Sequence, residues 1–164
     1  MSPAEAVGGI VGVVDEQDAE LFEKHAGELT RFATGVVGPS EASDVVSEAF
    51  LHCVVSRRWP TVADRRAYLY RAVLNEARAS RRSLARRRQR DRHAVLAESV
   101  SDCAPGHEVL DAVRRLSVRQ RAVVVLTYWQ DLEPASVAGL LGISEGAVRR
   151  HLARARAHLK ESLR

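Results

Sequence analysis

The chain has 164 residues, 46% of them apolar but only 5% aromatic, which suffices for a folded core and requires that core to be aliphatic. Its net charge of +4 conceals four blocks: residues 1–56 carry two basic against ten acidic side chains, 57–92 thirteen arginines against three acids, 93–113 stand at −4 and 114–164 at +6. An acidic front with two basic segments behind it excludes a uniformly charged surface and suggests two partners, one of them a polyanion.

The opening MSPAEAVGGIVGVV lacks a basic n-region, and its apolar run falls short of the roughly 18 residues a membrane span needs. Residues 1–14 are therefore expected to be a mobile tail on a cytoplasmic chain without membrane insertion. From Asp15 to about Val37, the residues Leu21, Phe22, Leu29, Phe32, Ala33 and Val36 recur at helical spacing, and Gly35, Gly38 and Pro39 close that helix. Ser40 and Ser43 are candidate N-caps for the next helix, whose apolar face is Val45, Val46, Ala49, Phe50, Cys53 and Val54. Trp59-Pro60-Thr61 breaks it. Asp64 then opens a third helix, with Ala67, Tyr68, Tyr70, Ala72, Val73 and Leu74 inward and an arginine-rich continuation too charged for a core.

SVSDCAPGHE, with its Pro105-Gly106 breaker, marks a flexible linker over 93–108. Beyond it come a short helix over Val109–Leu116, a helix from the Ser117 cap to about Gln130, another from Pro134 to Leu141, and a long terminal one. No useful β-alternation appears. The expected fold class is all-α: two small helical bundles, 15–92 and 109–164, joined by the linker. Cys53 and Cys103 stand apart from each other and from any metal-type pair, so both are expected to be free thiols in a reducing compartment. No nucleophile–base set, phosphate loop or metal cluster is visible, so binding without a cofactor is expected rather than catalysis.

The stretch LLGISEGAVRRHLARARAHL, Leu140–Leu159, carries most of the chemistry. Gly142 permits a tight bend and Ser144 caps the helix that follows. At about 100° per residue, Val148, Leu152, Ala155 and Leu159 share the packing face, while Gly146, Arg150, Ala153, Arg154 and Ala157 lie opposite and Arg149 sits on the flank. Small residues between arginines allow close approach to another surface, and a guanidinium fork suits guanine or phosphate. A solvated amphipathic helix would show the same charge, but not the coincidence of turn, cap and small-residue face. Helix, glycine turn and capped basic helix together make a helix-turn-helix.

With those residues in view, LSVRQRAVVVLTYWQDLEPASVAGLLGISEGAVRRHLARARAHL resembles region four of the sigma-70 family of bacterial transcription initiation factors. DVVSEAF, Asp44–Phe50, followed by AYLYRAVLNEARASRR, Ala67–Arg82, resembles region two. The absence of a recognisable region one or three is the pattern of the extracytoplasmic-function (ECF) group. The resemblance implies a factor that binds core RNA polymerase, through its β′ clamp helices and β flap, and directs initiation at promoter DNA. Asp44, Ser47, Glu48 and His52 would form the polymerase-facing rim. At the −10 element, Asn75 would meet a base flipped from the melted strand, or is an ordinary surface amide, and Ala72 would line the pocket. Trp59 would stack a base or plug the gap between the second and third helices. Arg65, Arg66, Arg71, Arg78, Arg81 and Arg82 would hold phosphates there. At the −35 element, Arg149, Arg150 and Arg154 would be readers and His151 and Arg156 phosphate-side helpers, with Arg119 and Arg121 near the DNA backbone.

Ala79, where many relatives are acidic, and Glu133, where a Ser or Thr cap is common, depart from the family pattern. ECF members are commonly held by an anti-sigma factor, and this sequence is compatible with one. Two other classes fit parts of the chain: a stand-alone dimeric helix-turn-helix regulator, which has no need of DVVSEAF or the Asn75 helix, and an enzyme acting on nucleic acid, for which no acid–base or metal set is present.

Overall fold

The computed structural model describes residues 14–91 and 107–163. Seven α-helices and no strand occur among them. Helix α1, Glu16–Val37, starts on Asp15, whose carboxylate accepts from Asp18 N at 2.7 Å. It ends at Gly38, where φ of 99° turns the chain sharply, and α2, Pro39–Val54, begins at once. The expected caps Ser40 and Ser43 lie inside α2. Proline at the first position is pre-set for helical φ and has no N–H to satisfy, so the helix starts without a side-chain cap. A 3₁₀ turn, Trp59–Thr61, leads to α3, Arg65–Asp91, capped by Asp64 through Ala67 N at 2.8 Å. The arginine-rich continuation is thus helical as far as Asp91. The expected tail lies outside the described residues except for Val14, and so does the expected linker apart from His107 and Glu108, which open the next helix.

Helix α4 spans His107–Arg115 and α5 Val118–Val124, the latter opened by a reciprocal capping box between Ser117 and Gln120. One π-helical turn, Val125–Trp129, extends α5 and closes on Asp131, a non-glycine residue at φ 51°. Helices α6, Pro134–Leu141, and α7, Glu145–Ser162, then form the helix-turn-helix about Gly142, which adopts the left-handed conformation.

Helices α1–α3 and α4–α7 form two bundles that also pack against each other, and the buried apolar residues other than Ala112 form one continuous cluster across both. Val45, Val46, Ala49, Phe50 and Cys53 of α2 are buried as their spacing implies, while Val54 is half-buried. On α3, Ala67, Tyr70, Val73 and Leu74 are buried, Tyr68 and Ala72 half-buried, and Leu69 and Ala77 join the core. The buried arc is wide because α3 is covered by α1 and α2 and also by α5 and α6 of the second bundle. No helix among the described residues is long and apolar enough to cross a membrane.

Candidate nucleic-acid interface

Helix α7 is anchored at its start by Ser144 Oγ, which accepts from Ala147 N at 3.1 Å. Val148, Leu152 and Ala155 are buried and Leu159 is half-buried, so the face seen in the sequence is the packing face. Gly146, Arg150, Ala153, Arg154 and Ala157 are exposed opposite it. Arg149 is exposed and pairs with Glu145 one turn earlier at 3.1 Å, a surface contact that gives way readily to phosphate. His151 is half-buried; desolvation, then the nearby Arg119, Arg154 and Arg150, hold its pKa below the usual 6.5.

Arg156 has a partner the sequence did not disclose. Its Nε donates to Tyr128 Oη at 2.8 Å, its Nη2 reaches the same oxygen, and the guanidinium lies 5.8 Å from the centre of the Tyr128 ring. The π turn places Tyr128 there, and an α-helical spacing argument gives no hint of that turn. Neighbouring Trp129 is 73% exposed, so an aromatic pair borders the basic face.

Ala49, His52, Cys53, Tyr68, Arg71, Ala72, Asn75 and Glu76 line a cleft of ≈ 310 Å³ between α2 and α3. Asn75 is exposed, Ala72 is half-buried, and His52 Nδ1 stands 3.3 Å from Glu76 Oε2 at the rim. Burial pushes the Cys53 thiol up to about 12, leaving it inert at neutral pH. Along the outer face of α2, Asp44 and Glu48 are exposed and Ser47 half-buried.

Several basic or aromatic positions expected to face DNA have partners within the protein. Trp59 is only 3% exposed and donates its indole N–H to Asp18 Oδ1 at 2.8 Å, so in this conformation it plugs the bundle and offers no stacking face. Arg65 bonds the same Asp18 oxygen at 3.0 Å and covers the Trp59 ring. Arg66 grips Glu28 with two hydrogen bonds of 2.8 and 2.7 Å, fastening α3 to α1. Arg81 Nη1 donates to Leu116 O at 2.9 Å, and the Arg71 stem lies under Gly142, so both face the second bundle. Arg121 is 6% exposed and donates to the carbonyls of Val36, Arg114 and Leu116, so here its guanidinium is engaged within the protein. Burial, with Arg81 and Arg114 adding like charge, lowers its pKa to about 10. Arg78 is half-buried, and Arg82 and Arg119 are exposed.

A two-bundle helical chain with a helix-turn-helix in its second bundle and an acidic helix ahead of a basic one in its first has the build of a two-region initiation factor. The sigma-70 region 2 family model matches residues 21–91 and the sigma-70 region 4 model residues 106–159. The chain belongs to the sigma-70 family, and its relatives place it in the ECF group, which acts with RNA polymerase in transcription initiation. It is 31% identical to an RNA polymerase sigma-E factor of Streptomyces antibioticus, over 88% of this chain and 83% of that one. It is 30% identical to the ECF RNA polymerase sigma factor SigL of Mycobacterium tuberculosis, over 80% of each. Its fold is also that of the sigma factor RpoE of Bartonella quintana, solved with the anti-sigma factor NepR, at a TM-score of 0.65 and 21% identity, covering 91% of this chain and 98% of that one.

Proposed function

We propose that the two bundles divide promoter recognition between them. In α7, Arg150 and Arg154 read the −35 element, with Arg149, His151 and Arg156 contributing phosphate contacts. In the first bundle, the α2–α3 cleft takes a base unpaired from the −10 element, with Asn75 donating and accepting at its edge and Ala72 forming the wall. Arg78 and Arg82 hold the strand beside it. The outer face of α2, with Asp44, Ser47, Glu48 and His52, docks on the β′ clamp helices, and the second bundle meets the β flap. Polymerase performs the phosphoryl transfer. Because the similar RpoE was solved with an anti-sigma factor, a comparable protein partner is proposed for this chain too.

The observation that carries this reading is the exposed face of α7, where arginines alternate with Gly146, Ala153 and Ala157 so that the backbone can approach a groove closely. Its test is a pair of substitutions, Arg150→Ala and Arg154→Ala, assayed by run-off transcription and by binding to core polymerase. Each should reduce recognition of the −35 element by about 1–3 kcal/mol and leave core binding intact. Loss of core binding with unchanged DNA recognition would show that α7 faces protein. For the cleft, Asn75→Ala should spare duplex association and reduce permanganate reactivity of the bubble.

A further inference from the structure

The α2–α3 cleft holds one group that its phosphate-binding surroundings do not call for. Tyr68, Ala72 and Glu76 follow one another at four-residue spacing on α3 and line the cleft together, spread over about 12 Å of one helix face. Tyr68 closes one end with an aromatic ring, whose centre lies 5.9 Å from the Arg71 guanidinium. Glu76 closes the other end with a carboxylate, and the alanine between them leaves a gap. Asn75 is exposed beside Glu76 and lines the same cleft.

His52 Nδ1 stands 3.3 Å from Glu76 Oε2, with the histidine side chain 65% exposed and the glutamate 24%. A pair so open to solvent does little to hold α2 to α3. It does engage one carboxylate oxygen and leave the second to a donor entering the cleft. Arg71 in the cleft, with Arg78 and Arg82 further along α3, attracts phosphate, whereas a carboxylate repels it. Glu76 therefore weakens the hold on a strand's backbone. Only a neutral hydrogen-bond donor on the ligand offsets that, because a carboxylate accepts hydrogen bonds and has none to give.

We infer that Glu76 sets the base preference of the cleft: it admits an unpaired base that carries an exocyclic amino group and rejects thymine. The inference rests on the base-capturing role proposed above. Cytosine, adenine and guanine each present an amino group on the edge that pairing leaves free once the base is unpaired, and thymine has none. Thymine's single ring N–H lies between two carbonyl oxygens, which the carboxylate would repel. Cytosine donates from N4 to Glu76 while its N3 accepts from the Asn75 amide, and adenine does the same with N6 and N1. Asn75 can turn its amide either way and so tolerates every base, whereas Glu76 cannot.

The test compares cytosine with uracil, which match in size and stacking and differ in the amino group. A promoter recovered by run-off transcription from a genomic library is first scanned with abasic sites along the non-template strand of its −10 element. The base held by the cleft is the one whose loss weakens binding of the chain with core polymerase more in the parent than in Asn75→Ala. With cytosine at that position, binding should be at least about tenfold tighter than with uracil, the lower end of the range for a hydrogen bond to a charged group because the site is partly open. Glu76→Gln, whose amide also donates, should bring the two bases within about twofold of each other. Equal binding of cytosine and uracil by the parent, or a preference that survives Glu76→Gln, overturns the assignment. If no abasic position separates the parent from Asn75→Ala, the cleft holds no base, and the base-capturing role falls along with what is inferred from it.

Discussion

His151 shows how one side chain's surroundings set its part in DNA binding. It lies among Arg150, Arg154 and Arg119, and both its burial and those charges favour the neutral ring. At neutral pH it therefore offers phosphate a hydrogen bond without a charge. Because the folded-state pKa lies below the ordinary 6.5, protonation is resisted and folding stability declines as pH falls through that lowered value. Phosphate opposes this by stabilising the imidazolium. Affinity for a −35 duplex, measured by fluorescence anisotropy, should rise severalfold from about pH 7.5 to about pH 5.5 and gain about one unit of salt slope. His151→Gln should flatten that gain, whereas an equal gain in the variant would assign it to another group. The direction of the α7 face was legible in the sequence because a 100° repeat sorts small residues and arginines from Val148, Leu152 and Ala155. Trp59 was not settled by the sequence, because the group that holds its indole, Asp18, is 41 residues away and belongs to another helix.

At the scale of elements, the first bundle depends on the fastening of α1 to α3. Glu28 receives both arms of Arg66 and stands 2.6 Å from His25 Nδ1. The hydrogen bonds from Arg66 outweigh the burial of Glu28 and bring its pKa from 4.5 to about 2. A depressed carboxylate stabilises the fold fully above its ordinary value, and that contribution fades as pH falls from 4.5 toward about 2. Acid unfolding followed by circular dichroism should therefore carry a component in that window, and Glu28→Gln should remove it. The substitution should cost about 1–3 kcal/mol near neutrality, toward the lower figure because Arg66 is 41% exposed and partly screened. A variant with the parent's acid profile would show that the pair is idle. Helix order and most boundaries were legible, since Asp15, Asp64, Ser117 and Ser144 are local caps and Pro134 is a local start. The start of α2 at Pro39 and the π turn were not, because each depends on backbone geometry, at Gly38 and at Asp131, that side-chain periodicity does not encode.

At the scale of the whole molecule, apolar faces that each bundle would need for its own core also serve the surface between the bundles. Periodicity identifies such faces but not which helix covers them, and an arginine on a helix reads as solvent-facing by default. Arg119 and Arg121 illustrate the consequence: two residues apart and alike in sequence, one is exposed and the other is 6% exposed with its charge directed at three carbonyls. Arg121→Ala removes the side-chain donor of Val36 O and leaves Leu116 O and Arg114 O with Arg81 alone, so the packing of the two bundles against each other weakens. The packed arrangement of the bundles should lose about 2–4 kcal/mol relative to a separated one. Small-angle scattering should then report a larger free chain, and thermal unfolding should broaden or split as the bundles melt more independently. Arg119→Ala should leave size and melting unchanged and weaken duplex affinity uniformly across sequences, with a shallower salt dependence. If Arg121→Ala instead reproduces the Arg119→Ala pattern, with loss of DNA affinity at unchanged compactness, then Arg121 spends its time in solution facing the duplex and the two bundles are not held together by it.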